Sequence, residues 1–246
     1  MNVLQLYKTF GPVDSKYIRR DDMSIMLLIA PVLLGIATRW VIPYIFQGIG
    51  YLIGEDILPY ITPIMGYMLL ILMPLFCGMI IGLLLLDHVD DHTIQGIQVS
   101  PVSMSAYMAY RLATPMAFSL LMTLLVYPIS GLQPIDFLSL LGCALLAMPF
   151  APLLALIFAT IAENKIQGMV VMKASGGILI LPVLAYFLTS NWKFIVAIVP
   201  TFWPGQFYWM SLAGDPNRWI IFVLGMGIET GLIILFRNIW LKKISS

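Results

Sequence analysis

The chain has 246 residues, 61% of them apolar and only 10% charged, against roughly a quarter charged in soluble domains. Its 13 Lys and Arg nearly balance its 12 Asp and Glu, so the net charge of +1 gives no basic field of the kind that binds nucleic acid. The apolar residues fall in blocks long enough to cross a bilayer, which predicts an all-α integral membrane protein built as a single transmembrane domain over residues 1–246.

Taken in chain order, residues 1–22 read as a cytosolic interfacial segment and an uncleaved start rather than a signal peptide, since Lys8, Lys16, Arg19 and Arg20 precede a full-length span. Val3 to Phe10 and, after Gly11-Pro12, a second short piece with Val13, Tyr17 and Ile18 each suit a helix lying in the interface. A plain basic tether and a specific docking element are both open for this segment. Hydropathy windows of about 19 residues give six spans, at 24–46, 61–86, 112–129, 137–162, 169–189 and 219–236.

An even number of spans puts both termini on one side. With that side cytosolic, Lys8, Lys16, Arg19, Arg20, Arg111, Lys165, Lys173, Arg237, Lys242 and Lys243 lie on or next to the cytosolic face, while Lys193 and Arg218 lie outside and Arg39 is embedded. The positive-inside rule therefore favours cytosolic termini.

That orientation makes residues 87–111 a cytosolic loop, the longest polar interruption of the chain, containing both histidines. Ser100-Pro101 would cap and start a short surface helix running from Pro101 to Arg111 into the third span. Residues 163–167 form the other internal cytosolic connection. On the outer side, residues 194–210 are apolar and aromatic but broken by Pro200 and Pro204-Gly205, which predicts a re-entrant pair of short helices. Trp192, Trp203, Tyr208, Trp209 and Trp219 would form an outer aromatic belt, or part of a lid over an exit path.

The chain lacks GxxxxGKS/T, HExxH and GxSxG, so it carries no signature for hydrolysing nucleotide, peptide or ester. One cluster invites an enzymatic reading. On a helix, Asp87 and Asp91, and likewise His88 and His92, would stack at i,i+4, with Asp90 beside them, and hold a divalent metal; the alternative is a solvated acidic loop. Cys77 and Cys143 lie inside apolar runs and suit small buried roles. Glu229, near the middle of the sixth span, and Arg39, near the outer end of the first, are embedded charges that would pair if those spans were neighbours. Glu229 otherwise serves as a structural acid or lines a substrate path.

The order of these features resembles the membrane subunit of an ABC-2 type exporter, the permease half of an ATP-binding cassette transporter. Asp90-Asp91-His92-Thr93-Ile94, then Val99-Ser100-Pro101-Val102-Ser103, Tyr107 and Arg111 are similar to that family's acidic residue, Thr-Leu-like pair, Ser-Pro turn and closing basic residue. Ala162 to Gly168, with Glu163 and Lys165, resembles its short loop between the fourth and fifth spans. Asp91 and His92 depart from the pattern, which often has a basic residue after the acid and a small one before the Thr.

The resemblance implies a type V exporter-like fold: an interfacial helix, six spans, a coupling helix between spans 2 and 3, and re-entrant outer helices before span 6. It implies a non-catalytic subunit without a cofactor of its own, ATP and Mg being bound by a separate cytosolic ATPase. It also implies a second permease, identical or not, with cargo crossing at an interface formed largely by the second and fifth spans of a bacterial cytoplasmic membrane. So apolar a chain suits an amphipathic or hydrophobic cargo such as a drug, antimicrobial peptide or lipid. A membrane-embedded metal enzyme at Asp87–His92 and a non-transporting assembly or immunity factor are the alternatives.

Overall fold

The computed structural model describes residues 3–91, 93–98, 103–188 and 191–245. The described residues fold into α1 (Val3–Ile18), α2 (Asp22–Trp40), α3 (Ile42–Ile53), α4 (Leu58–Asp90), α5 (Thr93–Gln98), α6 (Met104–Ile129), α7 (Phe137–Ala147), α8 (Phe150–Ile161), α9 (Lys165–Ser175), α10 (Ile180–Tyr186), α11 (Phe202–Leu212) and α12 (Arg218–Ser245), with no strand among them. Six stretches are long and apolar enough to cross a membrane: α2, α4, α6, α7 with α8, α9 with α10, and most of α12.

Three boundaries differ from the sequence expectation. Gly11-Pro12 does not divide the first helix, because Pro12 is exposed and the carbonyl it leaves unbonded costs little there. The first span ends at Trp40 rather than residue 46. Pro43, at the start of α3, cannot donate to the preceding turn and begins a second apolar helix, which Gly54 closes at φ 82°. The cap of α6 falls on Ser103, which accepts from the Ala106 N–H at 3.3 Å, so a single helix runs from Met104 into the third span. Val99, Ser100, Pro101 and Val102 lie outside the described residues, as does His92.

α4 is the central post, packed against α8, α6, α2, α9, α11 and α7. Of its apolar window 89% is buried within the chain, against 17% to 28% for the first, third, fifth and sixth spans. Small residues permit this. A Cβ on Gly78 would come within 2.6 Å of the Ala151 carbonyl oxygen, and one on Gly82 within 2.8 Å of the Phe158 ring. Two glycines four apart thus form a flat strip on which α8 lies. The second span therefore has little surface left for another subunit, contrary to its implied place in an interface. The fifth keeps Ile166, Val170, Ile180 and Leu184 exposed.

The other end holds the aromatic segment. Residues 191–198 form a 3-10 helix, and after Pro200-Thr201 comes α11, where Pro204 sits in the first turn and needs no donor. Trp203, Tyr208 and Trp209 are buried in the main core and so form no belt. Their polar atoms explain the inward turn: Trp203 Nε1 donates to Ala197 O at 3.0 Å, Trp209 Nε1 to Pro63 O at 3.1 Å, and Tyr208 packs beside Tyr127, whose hydroxyl donates to Gln133 O. Gly205 lets α11 meet Tyr67 of α4. Trp219 is partly exposed against Phe207, and nothing of the Trp192 side chain is described. Between α6 and α7, Asp136 caps α7, and the two Ser139 donors hold its carboxyl below the usual carboxylate range.

Gly78→Ala is expected to lower the melting temperature of the purified protein, although alanine gains about 1 kcal/mol of helix propensity. Gly227→Ala, with open space around its Cβ, is expected to leave it unchanged or raise it.

Candidate functional site

At the end of the bundle where both termini lie, α1, the C-terminal end of α4, α5, the first turns of α6, the α8–α9 turn and the tail of α12 meet. They share one apolar cluster that includes Leu84, Leu85, Ile94, Ile97, Tyr107, Met108, Ala155, Leu156, Ala159 and Trp240, with Tyr17 at its edge.

α1 is docked, not merely tethered. Tyr7, Phe10, Asp14 and Tyr17 recur at spacings of three and four and so share one helix face. Asp14 Oδ2 accepts from Arg111 Nη1 at 2.7 Å and from Tyr110 Oη at 2.5 Å. Arg111, only 1% exposed, lies over the rings of Tyr107 and Tyr110, at 5.1 and 5.2 Å from their centroids. Tyr7 stands edge-on to Tyr110, and Phe10 packs on both tyrosines. His88 Nδ1 lies 2.8 Å from Tyr107 Oη and 3.5 Å from Arg111 Nη2. A guanidinium can only donate, so Nδ1 is the acceptor.

The α8–α9 turn is tied from three sides. Lys165 Nζ pairs with Asp87 Oδ2 at 2.9 Å and donates to Tyr17 Oη at 3.1 Å, while its backbone N–H donates to Asp90 Oδ2 at 3.0 Å. Asn164 caps α9 by accepting from the Gln167 N–H. From the other side, Lys243 Nζ donates to the carbonyls of Ala159, Thr160 and Ala162 at 3.3, 3.0 and 2.9 Å, closing the end of α8.

The sequence-based site residues divide accordingly. Asp90, Asp91, Ser103 and Glu163 are exposed, whereas Ile94, Tyr107 and Arg111 are buried and hold the junction together; Thr93 and Lys165 are half-buried, and Gln95 and Gly96, which no sequence signal marked, are exposed beside them. Asp87 and His88 are engaged by Lys165, Tyr107 and Arg111 and not aimed at a shared ion. Among the described residues no three His, Cys, Asp or Glu form a metal-holding group. Asp14 and Trp240 escaped the sequence reasoning, and Lys243 entered it only as a charge on the cytosolic face. An acid within an aromatic helical stripe was the available signal for Asp14, and nothing local marked the other two.

The embedded charges do not pair. Arg39 donates to the Ile129 carbonyl at 3.4 Å and lies over Trp40. Glu229 is 0% exposed and neither carboxyl oxygen has a partner among the described residues. Ile221, Gly225 and Glu229, four apart, form the buried stripe of α12, and its neighbours α7, α8 and α11 contain no Lys or Arg.

Six apolar spans closely packed around a central helix, with a polar junction at one end, define a multi-pass membrane protein. The chain belongs to the family described as fluoroquinolones export permease protein Rv2686c-like, whose model matches residues 14–237, and is thus an ABC exporter permease. It is 30% identical over 233 residues to the fluoroquinolones export permease proteins Rv2686c and MT2760 of two Mycobacterium tuberculosis strains, H37Rv and CDC 1551, covering 93% of this chain and 92% of theirs. No solved structure matches it at significance.

Asp14→Ala is expected to cost about 3–5 kcal/mol, because it leaves the buried Arg111 charge without its carboxylate partner; denaturant-induced unfolding in detergent measures this, and proteolysis near residues 19–22 should accelerate. Glu229→Leu is expected to raise the melting temperature, since it removes a buried polar group without taking a partner from any other.

Proposed function

We propose that this chain is the membrane half of an ATP-driven export pump, with both termini cytosolic, on whose junction a separate ATPase docks. The observation that carries this reading is the architecture of α5: Ile94 and Ile97 anchor a short helix in the shared cluster while Gln95 and Gly96 face outward. Such a helix transmits a push instead of absorbing it. Asp90, Asp91 and Glu163 flank it as exposed acids, a surface suited to basic residues of the partner. Catalysis, ATP and Mg belong to the ATPase; this chain contributes none of them.

Closure of the ATPase pair displaces α5 together with the ends of α4 and α6, and the Asp14–Arg111 and Lys165–Asp87 pairs carry the displacement to α1 and to the fifth span. The fifth span is broken by a 3-10 segment at Gly176–Leu179, a form that often marks a hinge. With its exposed apolar face, it is the surface for a second permease, and cargo crosses beside it, below residues 191–212 at the outer end. Of the amphipathic or hydrophobic cargoes, a drug is the class favoured, since the relatives are named for export of fluoroquinolones.

Pull-down of the tagged chain from its native membranes is expected to bring a stoichiometric protein bearing GxxxxGKS/T, and vesicles containing both are expected to show ATP-dependent drug movement. Gln95→Arg with Gly96→Trp is expected to abolish ATPase binding at unchanged melting temperature, whereas Ile94→Asp lowers the melting temperature itself. A double variant that still binds the ATPase at full affinity would overturn α5 as the docking element, and wild-type chain recovered without any nucleotide-binding partner would overturn the pump.

A further inference from the structure

Where α1 gives way to the first span, Val13, Lys16, Tyr17, Arg20 and Asp21 line an open groove with a cavity volume of about 500 Å³. That volume is within the range of small-molecule sites. Lys16, in the last turn of α1, and Arg20, in the turn that follows it, line the same groove, both exposed, and neither side chain has a hydrogen-bond or ion-pair partner among the described residues. The acid in the groove is already engaged: Asp21 Oδ2 accepts from the Ser24 N–H at 2.9 Å and from Ser24 Oγ at 2.5 Å as the cap of α2. Asp22 stands in the first turn of α2, where the helix N-terminus favours it, and Arg19 adds a further exposed cation at the edge. Tyr17 at the floor accepts from Lys165. One turn into α2 begins an exposed apolar stripe, Met26, Ile29, Leu33 and Trp40.

We propose that this groove binds the headgroup of an anionic phospholipid, with Lys16 and Arg20 gripping the phosphate and the acyl chains lying along the α2 stripe. Charge complementarity selects an anion, and continuity with an apolar face selects one that carries tails. Each cation contributes about a five-fold gain in affinity for an anionic surface, so the pair contributes about thirty-fold. A lipid seated there braces α1 against α2 beside Tyr17, and through Tyr17 it touches the Lys165–Asp87 pair. The inference stands independently of the export reading.

The test is thermal unfolding of the purified full chain in mild detergent, titrated with phosphatidylglycerol or with phosphatidylcholine. Phosphatidylglycerol is expected to raise the melting temperature more than phosphatidylcholine does. The Lys16→Gln/Arg20→Gln variant is expected to keep the lipid-free melting temperature and helix content while its midpoint for phosphatidylglycerol rises about thirty-fold. Lys8→Gln, outside the groove, should behave as wild type. Soluble glycerol phosphate should give no shift; an equal shift would make the groove a site for free phosphate and overturn the lipid. Equal effects of the two lipids, an unchanged midpoint in the double variant, or the same loss in Lys8→Gln, which would mean diffuse attraction, would each overturn the proposal. Loss of helix content in the double variant would be met by Lys16→Arg/Arg20→Lys, which keeps both charges and must retain the lipid shift.

Discussion

The close approach of α4 and α8 is the constraint on which the rest of the bundle depends. Helices in a membrane gain little from excluding water, so they associate where their surfaces fit. Gly78 and Gly82 bring the α8 backbone against α4, and this contact leaves room for α2, α6, α9 and α11 to close around the same post. The consequence is an asymmetric molecule: one span is almost wholly internal and four are largely exposed.

Polar chemistry is concentrated at one end and serves mechanics. The Asp14–Arg111 pair is costly to bury, and its two oxygens and five donors are only partly satisfied, Arg111 Nε having no partner among the described residues. Such a pair is poor evidence for stability but holds α1 in one register on α6, since a one-turn slip would bury both charges unpaired. The Lys165 contacts do the same for the α8–α9 turn. Because α5 is anchored on this frame by two isoleucines, its orientation is inherited from residues remote in sequence.

How much was legible beforehand follows from the range of each interaction. The six spans rest on local hydropathy, and all six appear with shifted ends. The break at Val41 follows from Pro43, a local signal that a 19-residue window averages away. Asp87 and His88 read as part of a metal cluster, and Tyr107 and Arg111 as part of a coupling loop; that His88 lies between the Tyr107 hydroxyl and the Arg111 guanidinium was not legible, because such a histidine has the same sequence as one awaiting a metal. The tryptophans misled for a related reason: aromatic rings beside prolines suit a membrane boundary, and only the carbonyls of Ala197 and Pro63, one of them more than a hundred residues away, turn them inward. Lys243 was counted only as a topology charge, since its three acceptors lie about eighty residues earlier.

That last contact also bears on how the molecule is made. The carbonyls at the end of α8 belong to the fourth span, and the ammonium that satisfies them belongs to the sixth. During synthesis from the N-terminus, the fourth span therefore waits, with three acceptors unmet, while the fifth and sixth are laid down. Until Lys243 arrives, the turn that presents Asn164 and Lys165 has nothing holding it from α12's side. Completion of the final helix and completion of the junction become the same event, so an unfinished chain has an unfinished junction.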